Sequence, residues 1–122
     1  MVLAMIVASL AMIWAVSQAN AHARLVRADP PPGSTMKEPP RVVRAVFNEE
    51  LDVKRSAVSV TDARGLRVDD GRGGVDLDDL DRKTLIARLR AVRSGTYTVR
   101  WTAVSADDLN VARGTFRFTV AR

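Results

Sequence analysis

The chain has no cysteine and a single histidine among its 122 residues. Without thiols there is no disulfide, no thiolate metal site and no cysteine-based redox chemistry. With one imidazole and no partner in the pattern to orient it, no Ser/His/Asp or Cys/His catalytic set can be built. Aromatic residues make up only 5%, and no basic aromatic platform or basic helix is present. The net charge of +5 therefore does not read as nucleic-acid binding. The arginines instead alternate with apolar residues (Arg88, Arg90; Arg113, Arg117), as on a solvated sheet face. No Lys or Arg precedes the first apolar run, and that run is short.

That run, Val2 to Val16, is apolar or small except at Ser9. A membrane span needs roughly 20 residues, whereas a signal-peptide core takes about 7–15. Ala19-Asn20-Ala21 closes the run as an A-x-A cleavage site. Residues 1–21 are expected to be a cleaved signal peptide and residues 22–122 one exported domain, large enough for a single core. An uncleaved anchor is the alternative. The cut itself has three candidate positions, after Ala19, Ala21 or Ala23. After Ala21 it makes His22 the first residue, with a free amine and an imidazole that can chelate one divalent ion. Either of the other two cuts removes that pair.

After the leader the pattern is all-β. Residues 22–28 can form a short first strand, which Asp29-Pro30-Pro31-Pro32-Gly33-Ser34 stops, because proline lacks the N–H a central strand needs. Residues 35–38 read as a turn. Residues 41–47 place Val43, Ala45 and Phe47 on one face, and residues 57–61 place Val58 and Val60 inward. Asp62-Ala63-Arg64-Gly65 reads as a turn, with Leu66 and Val68 beginning a further strand. Residues 69–81 read as an exposed acidic loop without calcium-loop spacing. Residues 83–89 alternate again. Residues 96–104 show the cleanest period of two, with Tyr97, Val99, Trp101 and Ala103 on one face, and residues 115–120 repeat it with Phe116, Phe118 and Val120. About seven strands and no helix predict a two-sheet antiparallel sandwich.

Four stretches resemble one family. They are His22-Ala23-Arg24-Leu25 leading to Asp29-Pro30 and Gly33-Ser34; Pro40 with Val43, Ala45, Phe47, Asn48 and Glu49; Gly95 to Asp107, as G-T-Y-T-V-x-W-x-x-x-S-A-D; and Gly114 to Val120, as G-x-F-x-F-x-V. Together they are similar to the CopC-type periplasmic copper-resistance proteins. The resemblance spans the chain after the leader. It implies an immunoglobulin-like β-sandwich in the periplasm that binds copper and works with a CopD-type membrane partner. It also implies a Cu(II) site of the N-terminal His amine and imidazole with the Asp and His of a S-A-D-G-H stretch. Here that stretch is Ser105-Ala106-Asp107-Asp108-Leu109-Asn110. His22 and Asp107 keep their places as metal ligands, with Asp108 as a further oxygen donor, and Leu109 replaces the second histidine. The methionine-rich segment some members use for Cu(I) is missing, since Met36 is the one methionine after the leader.

Cu(II) favours a tetragonal set of nitrogen and oxygen donors, so losing one imidazole predicts weakened binding, and Cu(I) should bind more weakly still. The expected function is a monomeric Cu(II) carrier or buffer in copper homeostasis, not an enzyme. The alternative is a metal-free sandwich that contacts a membrane copper-transport partner.

Overall fold

The computed structural model describes residues 22–122. The apolar leader, with the cut sites after Ala19 and Ala21, lies outside the described residues. The described chain contains eight strands: β1 (Leu25–Asp29), β2 (Thr35–Met36), β3 (Val42–Phe47), β4 (Ala57–Thr61), β5 (Gly74–Val75), β6 (Thr84–Arg88), β7 (Gly95–Val104) and β8 (Val111–Val120). No helix is found among them. They form two four-stranded sheets, β1-β3-β6-β5 and β2-β8-β7-β4. The β-sandwich expected from the alternation is therefore observed.

Burial follows the period of two. Val43, Ala45 and Phe47 of β3 and Leu85 and Ala87 of β6 face Val58, Val60, Tyr97, Val99, Phe116 and Phe118 from the other sheet, all buried. The outward residues of β7 are threonine and arginine, whereas β3 and β6 also turn Val42, Val46 and Ile86 outward, half-buried; a one-residue slip would still invert both faces. Trp101 sits at the sandwich end with its ring edge-on to Phe47, centroids 4.9 Å apart. Its strand partner is Gly114, and a Cβ there would overlap the indole ring. The Tyr97 hydroxyl donates to the Arg93 carbonyl at 2.7 Å and accepts from the Arg93 N–H at 3.1 Å, which closes the opposite end.

Four details depart from the sequence reading. The first strand starts at Leu25 rather than residue 22, and a bulge interrupts its pairing with β3. Thr35–Met36, expected as a turn, is a short strand parallel to β8, so the second sheet is mixed rather than wholly antiparallel. The proline turn carries the chain from the first sheet to the second, and the Gly33 N–H donates to the Arg117 carbonyl at 2.7 Å. The chain therefore arrives beside β8 running in the same direction. Leu66 and Val68 do not start a strand; a single bridge joins Thr61 to Arg67. Finally, β8 begins at Val111, earlier than the pattern suggested, because Arg113 and Gly114 hid the start of the alternation.

The acidic segment 69–81 is also not a plain solvated loop. It contains β5, and Asp69 is wholly buried. The Asp69 carboxylate accepts from the N–H groups of Val60 and Gly71, each at 2.8 Å, and from Arg67 Nη2 at 2.7 Å and Nε at 3.2 Å. Burial disfavours its ionised form, but the hydrogen bonds from Arg67, Val60 and Gly71 outweigh that and hold its pKa below the ordinary Asp value. Its backbone bridges to Leu89 beside β6 while its side chain holds β4. Asp69 thus ties the two sheets together. Sequence alone shows it as one of many aspartates.

Candidate metal centre

The end of the sandwich where β1 begins and β3 stops also carries the β7–β8 loop. Ala23 is 2% exposed and packs into the core. The next residue is clamped, since the Arg24 N–H donates to Asn48 Oδ1 at 2.7 Å and the Asn48 N–H donates back to the Arg24 carbonyl at 3.1 Å. His22 stands exposed one residue before Ala23, so the wall at Asn48 tethers it.

The β7–β8 loop is fixed to the same wall from the other side. The Ala106 N–H donates to the Glu50 carbonyl at 2.9 Å, and Leu51 bridges to Ser105. Within the loop the Leu109 N–H donates to the Ser105 carbonyl at 2.9 Å and the Ser105 N–H to the Asn110 carbonyl at 3.0 Å. Leu109 adopts φ 61°, a left-handed conformation in which a leucine is strained. The Asp108 carboxylate accepts from the Asn110 N–H at 3.0 Å and from its amide nitrogen at 2.7 Å. Asp108 therefore caps the turn, each of its carboxylate oxygens accepting one hydrogen bond from Asn110. Asp107 is exposed and its carboxylate takes no hydrogen bond among the described residues.

His22 and Asp107 thus flank the segment 48–52 at one end of the sandwich. They do not form a finished cage: among the described residues no three His, Cys, Asp or Glu side chains converge on a metal-sized point. Leu109 is exposed beside Asp107 and brings no donor.

One residue of this wall was not singled out as a ligand from sequence. Glu49 lies between Asn48, which holds the N-terminal segment, and Glu50, which holds the loop. Its Oε1 is buried and has no hydrogen-bond partner among the described residues. A carboxylate oxygen taken out of water without a donor is costly unless a cation or proton meets it. Asn48-Glu49-Glu50 reads as a polar turn after a strand, and only burial distinguishes its middle residue. The indole Nε1 of Trp101 is likewise buried without a partner among the described residues.

The profile of the CopC domain matches residues 25–121. The chain belongs to the CopC domain family. Among solved structures it is similar to CopC from Methylosinus trichosporium OB3b, with a TM-score of 0.72 and 24% identity over 81% of this chain and 93% of that one. It is also similar to PcoC, a methionine-rich copper resistance protein from Escherichia coli, with a TM-score of 0.69 and 29% identity over 83% of this chain and all of PcoC. No curated protein sequence matches. The matched residues include the segment 48–52 and the β7–β8 loop, whereas His22, Ala23 and Arg24 precede them. Methionine richness is not shared, because Met36 is the one methionine among the described residues.

Proposed function

We propose that this CopC-family chain is a periplasmic copper-binding protein of copper homeostasis or resistance, acting as a Cu(II) carrier or buffer with a weakened site. Copper is its cargo. The observation that carries this reading is the buried, unpartnered Glu49 oxygen between the two segments that hold His22 and Asp107. His22 supplies the ring nitrogen and, once the leader is removed after Ala21, the amine. Asp107 and Glu49 supply hard oxygen donors, a set that suits Cu(II) better than Cu(I). Closing the site requires the exposed His22 to swing toward the wall, since the three side chains do not converge as they stand. The burial of Ala23 supports the cut after Ala21, because a cut after Ala23 would strip a core side chain as well as the imidazole. Among the described residues no fixed partner orients His22 as a base, which supports binding rather than catalysis.

Isothermal titration of the exported protein with Cu(II), after its intact mass has located the N-terminus, tests the reading. One site that weakens on Glu49→Gln and on Asp107→Asn is expected. Affinity no better than free amino acids provide would sink it.

A second reading is favoured by the apolar surface at the same end. Val53, Leu109 and Val111 are all exposed, with a leucine where the resemblance implies an imidazole. On that reading the end contacts a CopD-type membrane copper-transport protein and holds no metal. Its mark would be a null copper titration together with retained binding to that partner.

A further inference from the structure

The outward faces of the two sheets carry charge differently. On the first sheet basic and acidic groups mix: Arg27 and Arg44 line one cleft with Asp29, Asp76 and Asp79. On the second sheet the outward positions of β4, β7 and β8 hold threonine, serine and arginine, with Ala57 and Val111 at strand ends, and no carboxylate. Pairing places Arg100 opposite Thr115, Arg117 opposite Thr98 and Arg113 opposite Thr102, so the three arginines share one face. All three are exposed, and none has an ion-pair partner among the described residues. Arg100 Nη1 reaches only the Thr61 hydroxyl, at 3.3 Å. At the edge one acid, Asp62, lines a cleft with Arg100 and Arg117; it makes no ion pair with either and spends one carboxylate oxygen on the N–H groups of Arg64 and Leu66.

The apolar side chains of this face are Ala57 and, at the end of β8, Val111. Protein–protein interfaces are a little over half apolar and centre on buried aromatic or aliphatic side chains, and no aromatic or large aliphatic side chain stands among the rows that carry the arginines. Two copies meeting through this face would set arginines against arginines, as an isologous contact requires. What remains is a partner that offers dense negative charge, hydrogen-bond acceptors and a broad flat surface. We infer that the β4-β7-β8 face docks on anionic phospholipid headgroups, with Arg100, Arg113 and Arg117 and the intervening threonine hydroxyls donating to phosphate oxygens. The inference does not rest on the copper reading, because the face lies along the sheet and the wall at Asn48–Asp52 lies at the sandwich end.

Each basic side chain near an anionic leaflet is worth about fivefold in partitioning, so three give on the order of a hundredfold. The test is co-sedimentation of the full chain with phosphatidylglycerol-containing vesicles and with phosphatidylcholine vesicles. Any contribution of the apolar leader is common to both vesicle types. The expected result is tighter binding to the anionic vesicles by on the order of a hundredfold, lost at 1 M salt, where the screening length is about 3 Å. R100Q/R113Q/R117Q should abolish most of that difference. R27Q/R44Q/R88Q lowers the net charge equally on the other sheet and should retain it. Equal losses in the two triple variants, or no preference for anionic vesicles, would overturn the inference. So would self-association without vesicles that R100Q/R113Q/R117Q removes, since a second copy would then be the occupant.

Discussion

Replacing Asp69 should unfasten the sandwich, and the size of the effect follows from which partners are left behind. The Asp69 side chain is 0% exposed, whereas its ion-pair partner Arg67 is 54% exposed. Asp69→Ala strands the Val60 N–H, which is buried on the edge strand β4 and has no alternative acceptor in place of Asp69 Oδ2 at 2.8 Å. An unsatisfied buried donor costs about 1–3 kcal/mol, and a lost charged hydrogen bond falls in a similar range. Gly71 and Arg67 are exposed and rehydrate, and a half-exposed ion pair contributes about 0–1 kcal/mol. The expected loss is about 3 kcal/mol for Asp69→Ala and under about 1 kcal/mol for Arg67→Ala. With a urea slope of about 2 kcal/mol/M for a domain of this size, the midpoint should fall by about 1.5 M in the first variant and by under about 0.5 M in the second. The pKa of Asp69 is lowered in the fold. Its contribution is therefore complete above the unfolded value of about 3.9 and fades as pH falls through the lower folded value. Asp69→Asn should flatten that part of the acid profile. Equal urea midpoints for the Asp69→Ala and Arg67→Ala variants, or an unchanged acid limb in Asp69→Asn, would refute the account of Asp69 as the tie between sheets.

Leu109→His should strengthen Cu(II) binding by about tenfold or more, a factor that needs only about 1.4 kcal/mol from a new nitrogen donor; an unchanged titration would mean that the loop and the N-terminal segment do not meet around a metal. Leu109→Asn should raise the melting temperature by a few degrees, because asparagine tolerates the left-handed backbone better, by about 0.5–1 kcal/mol; a lower melting temperature would contradict that. Gly114→Ala forces a methyl into the Trp101 ring and should cost about 1–3 kcal/mol, visible as a lower melting temperature with altered indole fluorescence. Asp79→Ala should cost about 2 kcal/mol in urea titration, since its Oδ2 holds the Lys83 N–H and the Thr84 hydroxyl, each at 2.9 Å.

The core strands were legible because each carries a buried apolar residue at every second position. Residues 57–61 and 96–104 needed no more than that pattern. Thr35–Met36 was not legible: two residues carry no period, and their strand exists only because the proline turn delivers them to the edge of β8. Residues 69–81 misled for a related reason. Composition marks aspartates as solvated, yet Asp69 is the most enclosed charged group among the described residues, and its donors come from β4, from Gly71 and from Arg67.

The candidate site divides the same way. Linear spacing showed His22 after an A-x-A, Asp107 in a family-like stretch and Leu109 in place of an imidazole. It also offered Asp108 as an oxygen donor, and only the fold shows that its carboxylate accepts from Asn110. Glu49 gained significance only from its buried, partnerless oxygen.

By itself the sequence determined the class of fold, the family and the absence of a second histidine, because periodicity, motif and composition are properties of a line. Tertiary structure alone decided which carboxylates face water, which are bound to backbone donors and which stand buried without one. Hydrogen-bond satisfaction and desolvation depend on what distant strands bring alongside, and no local pattern carries that information.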